Sequence, residues 1–304
     1  MFYVVLGNLK NAKQNYQNPI NLNKIFKMEA LKTIVITGSN KGIGLGIAEN
    51  LFQKPYQIIL ACRNLELATK AKAKLEAQFP SSPGKLLIRE LDITSAKSIQ
   101  DFADSFEKEN VLIDVLLNNA GIAYKGDAFD ENVVRETLQT NFYGTVEFTE
   151  KMLKNIKYQG KVVFIGSSAG KSKILKSQDL ANRFNETSIT RDKLFALAGE
   201  FISDVKQNTY EKNGWPKWGY GVSKLLVNNY ARALSHYQEV KEKKLQVYTC
   251  CPGWVKTDMA GDKAPLTIPE GVLTPVYLVE LPFEVNEKFQ GNFFYKLEVA
   301  SILE

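Results

Sequence analysis

This 304-residue sequence predicts an α/β fold built on a doubly wound parallel sheet, on three observations. Strand-like and helix-like segments alternate from residue 32 onward. Several strand-like segments are apolar almost without a break, as strands covered by helices on both faces require. A glycine-rich turn joins the first strand to the first helix.

The β-branched run Thr33–Thr37 predicts the first strand, and Gly42–Gln53 the first helix. Gln57–Ala61 reads as the second strand. Residues 64–79 carry no Gly or Pro until Pro80 and read as the second helix. Leu86–Ile88 opens a third strand, Ser95–Glu109 a third helix, and Val111–Leu117 a fourth strand. A long helix is expected near 131–156 and a fifth strand over Lys161–Gly166. A long polar segment follows, with helical patterning near Asp192–Asn208. Then come a helix from about 220 to 240, a sixth strand over Leu245–Cys250 and a seventh, at the sheet edge, over Gly291–Tyr295. Strands alternating with helices imply right-handed crossovers. No repeat, low-complexity tract or linker follows residue 28, so residues 28–304 are expected to form a single domain.

With 44% hydrophobic and 24% charged residues, the composition is that of a globular chain with a sizeable core. No apolar run approaches the roughly 20 residues a membrane span needs, so no membrane partner is expected. The net charge is +6, but Lys10, Lys13, Lys24 and Lys27 supply +4 of it in an acid-free N-terminus. The rest is close to balanced and has no basic stripe, which argues against nucleic acid. Cys62, Cys250 and Cys251 are odd in number and two are adjacent, so reduced thiols and a cytoplasmic setting are expected. Residues 1–27 read as a disordered tail or an added extension, with Met28 as an alternative start. A mitochondrial targeting segment is the other reading, though Arg is absent and hydroxyl residues are few. The one histidine, His236, reads as a surface residue on a helix, and no metal is expected.

The glycine-rich turn runs Thr37-Gly38-Ser39-Asn40-Lys41-Gly42-Ile43-Gly44. Glycines there let the backbone approach a pyrophosphate, and the helix start presents free N–H groups to it. Alone, this is also what a plain βα turn looks like. Tyr220-Gly221-Val222-Ser223-Lys224 puts a phenol and an ammonium on one helix face, which alone is usually a solvated surface. Asn118-Asn119-Ala120-Gly121 ends the fourth strand, and Pro252-Gly253-Trp254-Val255-Lys256-Thr257 follows the sixth. In this order, over roughly residues 30–297, these segments resemble the short-chain dehydrogenase/reductase family. Its patterns are T-G-x-x-x-G-x-G, N-N-A-G, Y-x-x-x-K and P-G-x-V-x-T.

The resemblance implies a Rossmann-type domain with Asn141, Ser167, Tyr220 and Lys224 as catalytic residues. Ser167-Ser168-Ala169-Gly170 fits S-x-x-G from Ser167, with Ser168 the neighbouring choice. Cofactor contacts are implied for Gly38, Asn40, Lys41, Gly42, Ile43 and Gly44 in the loop, and for Asp92 and Ile93 beside the adenine. Asn118, Asn119, Ala120 and Gly121 flank the cofactor, as do Tyr220 and Lys224. Pro252, Gly253, Val255, Lys256 and Thr257 would close over the nicotinamide. The second strand ends Ala61-Cys62-Arg63-Asn64, without the acid that binds a ribose 2′-hydroxyl. Arg63, with Lys41 nearby, suits a 2′-phosphate, so the expected cofactor is NADP(H).

The long gap between Ser167 and Tyr220 resembles the helical insertion of the carbonyl-reducing, monomeric branch of the family, at about 171–218. That branch implies NADPH-dependent reduction of ketone, aldehyde or quinone carbonyls by a monomer. Ser167 would steady the carbonyl oxygen and Tyr220 protonate it, its pKa lowered by Lys224. Lys224 would hold the nicotinamide ribose, and Asn141 would position a relay water. Trp254 and Met259 line the branch's substrate pocket or simply pack their loop. Cys250 and Cys251 border that pocket or are small buried strand residues. The alternatives are a narrow-specificity biosynthetic ketone reductase and an NADP-binding regulator without turnover.

Overall fold

In the computed structural model, residues 31–282 and 289–303 are described. The expected tail at 1–27 and the alternative start Met28 lie outside them. Eight strands form one sheet in the order β3-β2-β1-β4-β5-β6-β7-β8. They are β1 (Lys32–Thr37), β2 (Tyr56–Cys62), β3 (Lys85–Glu90), β4 (Ile113–Asn118), β5 (Ile156–Ile165), β6 (Gln246–Cys251), β7 (Phe293–Tyr295) and β8 (Glu298–Ala300). The first seven pair in parallel and β8 runs antiparallel to β7. Chain order reverses between β1 and β4, opening a crevice at the carboxyl ends of the strands.

Every residue of β4 and β6 is buried, which explains their apolar sequence. One face is covered by α3 (Ala96–Lys108), α4 (Glu131–Leu138), α5 (Gly144–Met152), α7 (Arg191–Lys206) and α8 (Gly219–Leu234). The other carries α1 (Gly42–Phe52), α2 (Leu65–Gln78) and α11 (Leu273–Glu280). Short helices α6 (Gln178–Asn185), α9 (Gln238–Glu242) and α10 (Ile268–Gly271) complete the described set. Side chains start several of them: Asn64, Ser95, Asp130, Ser177 and Thr190 each accept a backbone N–H one turn in.

Four expectations need correction. The long helix near 131–156 is broken by a π-helical turn at Gln139–Tyr143 and ends by Asn155. β5 begins at Ile156 rather than Lys161, because Ile156 already pairs with Ile113 before the register slips. The helix expected to reach 240 stops at Leu234, and α9 is separate, so exposed His236 sits in a turn. The seventh strand is not the edge: β8 folds back onto it through a two-residue turn, Lys296 and Leu297, both at positive φ.

The insertion holds α6 and α7. Trp215 anchors it, buried edge-on to Phe184 and tilted on Phe201, with its indole N–H donating to Asp204 at 3.0 Å. α7 packs against α4 and α8.

Candidate active site

The loop after β1 is shaped by what glycine omits. Gly38 and Gly42 hold φ of +62° and +57°, a region that penalises any Cβ. A Cβ at Gly44 would fall 2.4 Å from the Asn119 amide nitrogen and 2.8 Å from the Gly38 carbonyl. α1 then starts with no side-chain cap and no acid in its first turn. Its N–H groups and partial positive charge are left for an anion.

The loops after β1 and β4 are bonded into one unit. The Thr37 hydroxyl accepts the N–H groups of Asn119 and Ala120, each at 2.9 Å. The Asn119 amide donates to the carbonyls of Thr37 and Gly38 at 2.8 and 3.1 Å. Asn118 is different: its buried amide donates to Thr149 on α5 at 3.0 Å, so its side chain is committed to the sheet–helix interface. Asn40 and Ile43 are half-buried in the glycine loop.

Arg63 stands largely exposed beyond β2, 3.9 Å from Asp92. Asp92 is held by Thr94, whose N–H and hydroxyl both donate to it. Ile93 is buried, and its carbonyl lies against Gly144. Across the crevice, Lys41 pairs with Asp258 at 3.0 Å, and Thr257 packs beside Gly42. The segment from Pro252 is shaped by Gly253 at φ +87° and tied down at Leu266, which bonds Trp254 and Lys256 and bridges buried Val255. Trp254 and Met259 stay exposed. The glycine cradle and the uncapped helix start fit a dinucleotide's pyrophosphate, and Arg63, largely exposed although 3.9 Å from Asp92, is open to a 2′-phosphate.

The reactive groups converge on α8. Tyr220 stands beside Ser167, whose hydroxyl favours the ionised phenol and accepts the Ala169 N–H at 3.1 Å. Lys224, one turn further, is buried, donates to the Ile165 carbonyl at 2.7 Å and lies 5.8 Å from the Tyr220 ring. Gly121 approaches the same ammonium; a Cβ there would lie 3.8 Å from Nζ.

The acidity of the phenol departs from expectation. Burial, reinforced by nearby Cys251 and offset in part by Ser167, pushes Tyr220 up to about 12. Burial pulls Lys224 down to about 8. Desolvation, which disfavours the charged form of each group, sets both shifts.

Asn141 sits in the π-turn. Its amide accepts from Ile122 N–H at 2.8 Å and donates to the Ile122 carbonyl and the Ser223 hydroxyl at 2.9 Å each. Sequence reasoning missed Thr37 as a brace, Ser223, and above all Asn228. Buried Asn228 donates to the carbonyls of Ser167 and Gly170 at 3.0 Å each and accepts from Thr249 at 3.1 Å, fixing the serine turn. A polar pair, Asn228-Asn229, inside the apolar run of α8 was the available signal.

Cys250 and Cys251 are buried at the end of β6, and all three cysteines are free. Among the described residues no cluster of three or more His, Cys, Asp or Glu could hold a metal, and no helix is long and apolar enough to cross a membrane.

A family model for short chain dehydrogenases matches residues 32–178. The carbonyl reductase (NADPH) 1 of Homo sapiens is 39% identical over 257 residues, 82% of this chain and 90% of that protein. The chain belongs to the short-chain dehydrogenase/reductase family. Among solved members, salutaridine reductase from Papaver somniferum superposes with a TM-score of 0.77 at 25% identity, covering 87% of this chain and 99% of that one. The NADPH-bound carbonyl reductase from chicken fatty liver gives 0.61 at 25% identity, covering 86% and 95%. Between β5 and α8 this family member carries the insertion anchored by Trp215.

Proposed function

We propose that this chain reduces ketone, aldehyde or quinone carbonyls to alcohols or hydroquinones with NADPH, with Tyr220 as the proton donor. The buried Lys224 ammonium, one turn on from Tyr220 and 5.8 Å from its ring, carries the reading. The carbonyl reductases among its relatives support it.

Bound NADPH supplies the hydride. Gly38, Asn40, Gly42, Ile43 and Gly44 with the start of α1 hold its pyrophosphate, while Arg63 and Lys41 meet the 2′-phosphate. Asp92 and Ile93 flank the adenine, and the Asn118–Gly121 turn lines the crevice. Pro252, Gly253, Val255, Lys256 and Thr257 cover the nicotinamide end. Ser167 donates to the carbonyl oxygen as charge gathers on it, and Tyr220 transfers its proton there. A phenol with its pKa at about 12 is fully protonated at neutral pH, as a donor must be. Lys224 binds the nicotinamide ribose and restores the proton. Asn141, its amide engaged by Ile122 and Ser223, serves that relay through the groups it positions. Trp254 and Met259 offer adaptable apolar surface to the substrate.

The purified chain should oxidise NADPH when given a quinone. Tyr220→Phe should lose about 10²–10⁴ in kcat and still bind NADPH. Near-full activity in that variant would refute the assignment. A second reading, reduction of one particular ketone, is favoured by the likeness to salutaridine reductase, and a carbonyl panel separates the two.

We also infer that the chain works as a monomer in the cytoplasm. α7 covers surface on α4 and α8, and three free cysteines suit a reducing compartment.

A further inference from the structure

Two tryptophans three residues apart meet opposite fates. Trp215 is 1% exposed and anchors the insertion, whereas Trp218, at the start of α8, is 44% exposed. Folding usually removes so large an apolar surface from water.

Trp218 is nonetheless fixed in place. Its N–H donates to the Pro216 carbonyl at 2.8 Å, and its carbonyl takes the Val222 N–H at 3.1 Å, the first bond of α8. Beneath the indole lies Gly221. A Cβ there would stand 2.5 Å from Cε3 and 2.8 Å from Cδ2, so only glycine lets the six-membered ring settle onto the helix backbone. The seated ring neighbours that of Tyr220: the two centroids are 6.4 Å apart and the rings are tilted at 45°. A large flat side chain, held at its own backbone and open to solvent, thus stands beside the proton donor.

We infer that Trp218 determines substrate specificity, offering a rigid aromatic face to carbonyl compounds whose carbonyl is joined directly to a planar ring. This rests on the reductase reading above. With the carbonyl oxygen between Ser167 and Tyr220, an aryl group attached to that carbon extends into the space beside the indole and meets it in an offset or tilted contact. A saturated ring of the same size is puckered and cannot match that face. Because the indole is already fixed, little side-chain freedom is lost when a ligand meets it.

Acetophenone and cyclohexyl methyl ketone isolate the effect when each is compared between variants, since the conjugation that lowers the reactivity of the aryl ketone is the same in every variant. Trp218→Ala should lower kcat/KM for acetophenone about five- to tenfold more than for cyclohexyl methyl ketone, mostly through KM. Trp218→Phe, which keeps a flat ring, should retain most of the wild-type preference. Equal losses on both ketones in the alanine variant, or a phenylalanine variant that matches alanine, would overturn the inference and leave the reductase reading standing. Failure of the wild-type chain to oxidise NADPH with either ketone would overturn both.

Discussion

Burial moves the protonation of Tyr220 and Lys224 in opposite directions: the phenol up to about 12, the ammonium down to about 8. Activity that needs the charged lysine should therefore hold on the acid side and fall as pH rises through about 8. A kcat/KM profile that stays flat well past that point would exclude the Lys224 charge from the relay. Stability runs the other way. The folded pKa of Lys224 lies below its free value of 10.5, so the cost of burying its charge is present in full below about 8. It fades as pH rises towards 10.5, because only the unfolded chain still holds the proton in that window. At this scale the sequence was legible where spacing sets placement: Tyr220 and Lys224 lie one turn apart on α8, and the glycine loop joins β1 to α1. The direction of the phenol shift was not legible, because it depends on how deeply the group is buried. The role of Asn228 was hidden for a similar reason: its partners Ser167, Gly170 and Thr249 come from two distant segments.

The π-turn at Gln139–Tyr143 joins α4 to α5 and carries Asn141 to Ile122. It is seated where α5 meets the turn after β3, since a Cβ at Gly144 would stand 1.9 Å from the Ile93 carbonyl. Gly144→Ala should accordingly cost about 1–3 kcal/mol in urea unfolding and lower turnover by shifting Asn141. Stability within 0.5 kcal/mol of wild type, roughly the range of a neutral surface change, would mean that the contact relaxes freely. Apolar periodicity could predict a helix here but not its extra backbone residue, which packs beside the turn after β3, some fifty positions earlier in the chain. The edge hairpin escaped for the opposite reason. β8 has three residues, too few for any alternation to stand out. The buried strands β1, β2, β4 and β6 were plain, because helices on both faces demand apolar residues throughout.

At the scale of the whole molecule, the insertion decides what the helical face can do. α7 lies against α4 and α8, and its seat depends on Trp215, Phe184 and Phe201. Sedimentation at micromolar concentration should return a single-chain mass; a two-chain mass would show that another surface pairs. The far end of the sheet is joined to the reaction centre by a different route. The Ile302 carbonyl accepts both the N–H and the hydroxyl of Ser172, at 2.9 and 3.2 Å, five residues beyond Ser167. A protease that clipped the chain after Leu297 would thus do two injuries at once. It would strip the blunting strand from β7 and leave an adhesive backbone ladder for other copies. It would also cut a tether on the serine turn, so clipped enzyme should clump under light scattering and turn over slowly, though no residue touching substrate had been removed.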